Sequence, residues 1–240
     1  FSTPFDETAV DFLEKLNVPA YKIASFENIH LPLIKKVAQT GKPVIISTGL
    51  AIETEIEEAV EALKIGGCKQ FCLLKCTSAY PASPENSNIL TIPDLRKKFN
   101  CEVGLSDHTL GIGVALAAIS HGATIIEKHF TLDRNDGGVD SSFSIEPNDM
   151  KILIKESVRT WQSLGNISYG PTDPEKGGLK LRRSIYIVKN IESGQKLTKE
   201  NLRIIRPGKG LAPKYYEELL GRKVNKNLEQ GTALTWNMLE

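Results

Sequence analysis

Two stretches carry the fold: Glu102 to His108 (EVGLSDH) and Ala123 to Phe130 (ATIIEKHF), short apolar runs that end on polar side chains, with His108 and His129 21 residues apart. β-Branched runs of this length, bounded by turn residues, read as buried strands. Three more precede them: Val18 to Ser25 (VPAYKIAS), Lys42 to Thr48 (KPVIIST) and Phe71 to Thr77 (FCLLKCT). Between them run helical patterns. In IETEIEEAVEALKIGG, Ile56, Val60 and Leu63 make the apolar stripe, the glutamates make a solvated face, and Gly66-Gly67 stops the helix. The strand starts lie 24, 29, 31 and 21 residues apart. Each interval has room for a crossover helix, so the pattern predicts an α/β protein of right-handed βαβ units around a parallel sheet.

Two architectures would satisfy that pattern. A dinucleotide-binding doubly wound sheet needs its glycine fingerprint, and the nearest candidate, Gly111-Ile-Gly113-Val-Ala-Leu116, has leucine at the third small position. A (β/α)8 TIM barrel instead ends several strands in reactive side chains at one rim. The strand ends here carry Lys22, Ser25 and Glu27, then Ser47, then Ser78 and Tyr80, then Ser106, Asp107 and His108, then His129. The barrel is therefore expected, with five complete units of eight. The opening residues FSTPFD read as the end of a strand entering its loop, so two βα units and most of a third strand are expected to precede Phe1.

The last barrel helix is predicted at Pro147 to Leu164, with Met150, Leu153, Ile154, Val158, Trp161 and Leu164 on one stripe. Residues 1–165 form the expected barrel part and 166–181 (NISYGPTDPEKGGLKL) a Pro/Gly-rich linker. A small second domain follows at 182–240, with strand-like SIYIV, LRII and TALTW and a short helix near Lys214 to Leu220.

Composition narrows the classes. With 30 Lys+Arg against 29 Asp+Glu and 40% hydrophobic residues, the 240-residue chain has no basic excess for nucleic acid or an anionic membrane. No run reaches the roughly 18 apolar residues of a membrane span, and a cytoplasmic location is expected. The four cysteines, Cys68, Cys72, Cys76 and Cys101, do not suit a secreted disulfide framework. Cys72 and Cys76 share one strand at even spacing, too far apart to grip an iron–sulfur cluster, and are expected to be core thiols.

His108 and His129, ending adjacent strands, would meet at one rim, either as a divalent-metal pair or as hydrogen-bonded structure. Imidazole with oxygen ligands suits Mn, Fe, Co or Zn better than Ca. His30 and His121 are expected at solvent or capping positions. Lys22, inside an apolar strand, should face an anion, either a protein carboxylate or a phosphorylated ligand. Ser25, Ser47, Ser78 and Ser106 form a set of short hydroxyls suited to phosphate or carboxylate. Asp140, in the glycine-rich stretch 135–144, either caps a turn or meets sugar hydroxyls.

Taken together, FSTPFD, YKIASFE, KPVIISTG, KCTSAYP, GLSDHT, EKHFTLD, GGVDSSFS and RPGKG, in this order along essentially the whole chain, resemble the sialic acid synthase family. YKIASFE and the DSSFS ending look more like the pseudaminic acid branch than the N-acetylneuraminate branch; the legionaminate branch is a further alternative. The resemblance implies a TIM barrel with a C-terminal SAF (antifreeze-like) domain, in a domain-swapped homodimer. It implies a transferase that condenses phosphoenolpyruvate with an open-chain N-acetylated amino sugar, giving a nonulosonic acid and phosphate, with a divalent metal, Mn first and Mg, Co or Zn as alternatives. Carried across by motif, the metal ligands fall on His108 and His129, and the phosphoenolpyruvate contacts on Thr3, Lys22, Ser25, Ser78 and Ser106. The sugar contacts fall on Glu27, Tyr80 and Asp140. The partner's arginine falls on Arg206, and Ser47 matches a strand-end serine near the site. A glutamate on the family's first strand and a lysine on its second have no counterpart in the chain.

Two other classes would use the same residues. A non-catalytic sugar-binding protein would have no reason to keep costly polar groups at the rim. An aldolase or sugar isomerase is not expected to carry the SAF-like tail.

Overall fold

The computed structural model describes all 240 residues as two compact units, Phe1–Asn166 and Ile167–Glu240. In the first, α1 (Glu7–Lys15) is started by Asp6, whose carboxylate accepts a hydrogen bond from the Ala9 amide at 2.7 Å. Strand and helix then alternate: β1 (Tyr21–Ile23), α2 (Leu31–Ala38), β2 (Val44–Ser47), α3 (Glu53–Ile65), β3 (Phe71–Cys76), α4 (Thr91–Phe99), β4 (Glu102–Asp107), α5 (Gly113–Ser120), β5 (Ile125–Lys128) and α6 (Pro147–Leu164). Each strand lies within its predicted run but is shorter, because the flanking residues turn out of the ladder. Ser25 to Glu27 form a 3-10 turn, so Ser25 and Glu27 leave the strand and reach the rim from its exit.

All pairings are parallel and the strand order β1-β2-β3-β4-β5 follows the chain without reversal. A doubly wound sheet reverses at its switch point; this one does not. Tyr21, Ile23, Val44, Ile46, Leu73, Val103 and Leu105 join the core under the helices. Their strand neighbours, Lys22, Ser47, Cys76, Ser106 and Glu127, therefore share the opposite face. Lys22 of β1 and Glu127 of β5 approach within 3.5 Å across that face. In a flat sheet their strands would stand about 19 Å apart, four spacings of about 4.8 Å, so the sheet is curled as part of a (β/α)8 barrel.

One helix departs from expectation. Of the apolar stripe on α6 only Leu153 is buried, while Ile154, Val158, Trp161 and Leu164 are exposed. Leu153, Ile154, Val158 and Trp161 line an open groove of about 550 Å3 with Ile119 and Ile126, beside the edge strand β5. No element of the unit covers this groove, and it holds no titratable side chain.

The second unit packs β6 (Ser184–Ile187) antiparallel to β7 (Leu202–Ile205), with α7 (Tyr216–Leu219), around Ile185, Ile187, Leu197, Leu202, Leu219 and Leu234. TALTW is not a strand. Ala233 makes a single bridge to Tyr186, and Trp236–Met238 is a 3-10 turn. The predicted linker residues 173–181 also form 3-10 turns. No helix is long and apolar enough to cross a membrane, and all four cysteines are free thiols.

Candidate functional site

The inward residues of the curled sheet stack in layers set by the strand register. Cys76, Ser106 and Glu127 occupy one row, and His108 and His129 stand two residues further along β4 and β5. Lys22 lies lower and its chain climbs through the apolar interior. Its Nζ donates to Ser47 Oγ at 2.7 Å and to the Ile23 carbonyl at 3.1 Å, besides the Glu127 contact. The Ser106 hydroxyl donates to the same Glu127 oxygen at 2.7 Å. Of the two anions expected for Lys22, the protein carboxylate is the one in place, with the Ser47 and Ser106 hydroxyls beside it. Thr3 follows Ser2, which bridges to Tyr21, and so enters the sheet beside Lys22.

Above this layer the backbone of Gly49 passes between Ser25 and Ser78. Its amide donates to Ser25 Oγ at 3.1 Å, and a Cβ at position 49 would collide with both hydroxyls. Cys76 stands beneath, its sulfur 3.8 Å from Ser78 Oγ and 3.9 Å from His108 Nδ1. It is buried, as expected, and lies on the inward face of the sheet beside the strand-end residues. Burial raises the Cys76 thiol pKa, yet hydrogen bonds with His108 and Ser25 bring it down to about 7.

The two imidazoles face each other with centroids 5.2 Å apart, Tyr80 packing on both at 4.4 and 5.8 Å and Phe143 on His129 at 5.1 Å. Nδ1 of His108 lies 2.8 Å from the Thr77 carbonyl, which only accepts, so Nδ1 carries the proton. Nδ1 of His129 faces Asp140 at 3.2 Å in the same way. Both rings thereby keep Nε2 as the lone-pair nitrogen. Burial and then the nearby His108 hold His129 below the usual imidazole pKa, which favours the neutral form. For His108, burial opposes charge, but the bonds to Cys76 and the Thr77 carbonyl outweigh it and raise the pKa. No third His, Cys, Asp or Glu completes a metal-binding group. The pair fits a divalent cation that takes two nitrogens from the chain and leaves its other positions to water or ligand oxygens.

Glu27 stands at the rim, with Oε2 buried and without a hydrogen-bond partner in the chain. Arg206 belongs to the other unit, exposed after β7. His30 precedes α2 and His121 ends α5, both exposed. Glu127 escaped the sequence reading, although its place two residues before His129 on one strand already put both on the inward face.

The NeuB family model matches residues 1–169 and the SAF domain model residues 182–240. The chain is 40% identical to pseudaminic acid synthase of Helicobacter pylori, covering 100% of this chain and 71% of that protein. It is 39% identical to N,N'-diacetyllegionaminic acid synthase of Campylobacter jejuni, covering 95% and 70%. The crystal structure of the spore coat polysaccharide biosynthesis protein SpsE of Bacillus subtilis superimposes with a TM-score of 0.67 at 32% identity, over 100% of this chain and 73% of that one. The chain therefore belongs to the NeuB family, the sialic, pseudaminic and legionaminic acid synthases, and carries a SAF domain after its barrel part.

Proposed function

We propose that the protein joins phosphoenolpyruvate to an open-chain N-acetylated amino sugar, releasing phosphate, and that the sugar is the precursor of pseudaminic acid. The observation that carries this is the vertical order of the site: a buried lysine among serine hydroxyls below, two imidazoles with free Nε2 above. Lys22, Ser25, Ser47, Ser78 and Ser106 suit the phosphate and carboxylate of phosphoenolpyruvate. Glu27, Tyr80 and Asp140 suit the sugar, with Glu27 Oε2 open to a hydroxyl donor.

His108 and His129 would hold a divalent metal, Mn first, which when bound supplies Lewis-acid polarisation of the aldehyde oxygen. The Thr77 carbonyl and Asp140 keep both rings in the metal-binding tautomer. The C3 methylene of phosphoenolpyruvate forms the new bond to the aldehyde carbon, water adds at C2, and phosphate leaves. Glu127, beside Lys22 and Ser106, is the carboxylate in the chain placed to take the water proton or to stabilise the charge at C2.

A homodimer with exchanged tails belongs to the same proposal. The exits of β1, β2, β4 and β5 expose Phe26, Leu50, Leu110 and Phe130, an apolar rim unusual for a free surface. Residues 182–240 carry 12 Lys+Arg against 6 Asp+Glu and the preceding residues 18 against 23, so the units are of opposite charge.

The test is phosphate release by the full-length protein from phosphoenolpyruvate and Mn2+, comparing N-acetylmannosamine with 2,4-diacetamido-2,4,6-trideoxy-L-altrose. Release only with the diacetamido sugar is expected. Release with N-acetylmannosamine moves the protein to the neuraminate branch, and none with either overturns the assigned sugar.

A further inference from the structure

Behind the two histidines, on the helix side of the sheet, lies an ion pair that the chemistry does not touch. Asp107 and Lys128 immediately precede His108 and His129 and are register partners on β4 and β5. Successive strand residues point to opposite faces, so the pair is turned away from the site. Lys128 Nζ lies 2.8 Å from Asp107 Oδ2, and the side chains are 3% and 1% exposed. Nζ also donates to the Thr109 carbonyl at 2.8 Å, while Asp107 Oδ1 accepts from the Thr109 amide at 2.9 Å and its hydroxyl at 2.7 Å. These bonds form a closed loop around His108: one lysine from β5 grips the residue before it and the residue after it. On the other side the His108 carbonyl accepts from the Ala82 amide at 3.0 Å, which ties it to the segment carrying Tyr80.

We infer that Asp107 and Lys128 are positioning residues that fix the spacing of the His108 and His129 imidazoles so that one divalent cation can bridge them. This rests on the metal reading under Proposed function. A fully buried ion pair is a poor device for stability, since its desolvation cost offsets most of the attraction and apolar replacements often do as well. It is a good device for geometry, because charge and fixed donors permit one arrangement. The need is local. The register of β4 with β5 ends at the Asp107–Lys128 pair, so His108 and His129 lie one residue beyond the ladder that aligns the two strands. A metal accepts its nitrogens within a few tenths of an ångström, about ±0.2 Å for a sound site. A small slide of one strand past the other would separate the rings beyond that.

The test measures Mn2+ binding to the full-length protein, without substrate, from the electron paramagnetic resonance signal of free Mn2+, alongside thermal melting. Lys128→Met and Asp107→Asn are each expected to weaken Mn2+ by about 10- to 100-fold, the range for partners that orient metal-bound histidines, and to lower the melting temperature. The double variant Asp107→Asn/Lys128→Met leaves no orphaned charge and is expected to recover melting but not Mn2+ affinity. Recovery of both, or single variants that bind like wild type, overturns the inference and leaves the metal site standing. Wild-type Mn2+ binding that survives both His108→Ala and His129→Ala, or no Mn2+ binding by the wild type, overturns the metal site itself and the inference with it.

Discussion

At the scale of single residues the site depends on how few carboxylates it contains. Lys22 Nζ and Ser106 Oγ converge on one oxygen of Glu127, so this carboxylate is held in place before any ligand arrives. Glu127→Gln keeps the shape and one acceptor oxygen but removes the charge and the basicity. Turnover is expected to fall by about 100- to 10,000-fold, the usual worth of a positioned acid or base, with the KM for phosphoenolpyruvate changed far less. Steady-state phosphate release checks this, and a loss confined to KM would assign Glu127 to binding alone. Lys22, the serines and both histidines were legible as strand-end residues. Glu127 and Cys76 were not, because a glutamate before a lysine looks like a surface pair and a cysteine in an apolar strand looks like core. Their roles come from the face they share with His129 and Ser78, which depends on where each strand starts.

At the scale of elements, the curl of the sheet requires close passage of neighbouring strands. Gly104 in the middle of β4 shows where: a Cβ there would collide with the Ile125 carbonyl and press on Leu74, so any larger residue pushes β5 from β4 or moves the β3 side chain. Gly104→Ala is expected to destabilise the protein by about 1–3 kcal/mol, the cost of overpacking a filled interior. Urea unfolding checks it, and a stability equal to wild type would mean that the strands have slack. The helix α6 teaches the converse. Its boundaries follow from Pro147 at the start and Gly165 at the end, but its apolar stripe does not reveal what lies against it, and in the unit it faces an open groove.

At the scale of the molecule, the proposed dimer with exchanged tails makes a prediction that no single chain can satisfy. If the Arg206 that completes a site comes from the partner, an Arg206→Met variant and a Glu127→Gln variant are each weak alone, yet a hybrid dimer has one site with both residues intact. Random exchange makes half the dimers hybrid, so a mixture is expected to recover up to about one quarter of wild-type turnover. Phosphate release after mixing and re-association measures it. A mixture no more active than its components would place Arg206 on its own barrel.

The sequence by itself determined the class of the fold, because alternating apolar runs and amphipathic intervals of 21 to 31 residues leave a chain little choice but parallel strands joined by helices. It also determined which polar side chains stand at the strand ends, and eight ordered motifs pointed to the family. The tertiary structure decided what no run of residues encodes alone: that β1 and β5 curl until Lys22 meets Glu127, that Gly49 narrows the gap between two serines, and that Asp107 and Lys128 lock two strands behind the histidines. Local pattern reports the period of each strand and the face of each helix. Contacts between residues distant in the chain depend on register and curvature, which are properties of the assembled sheet.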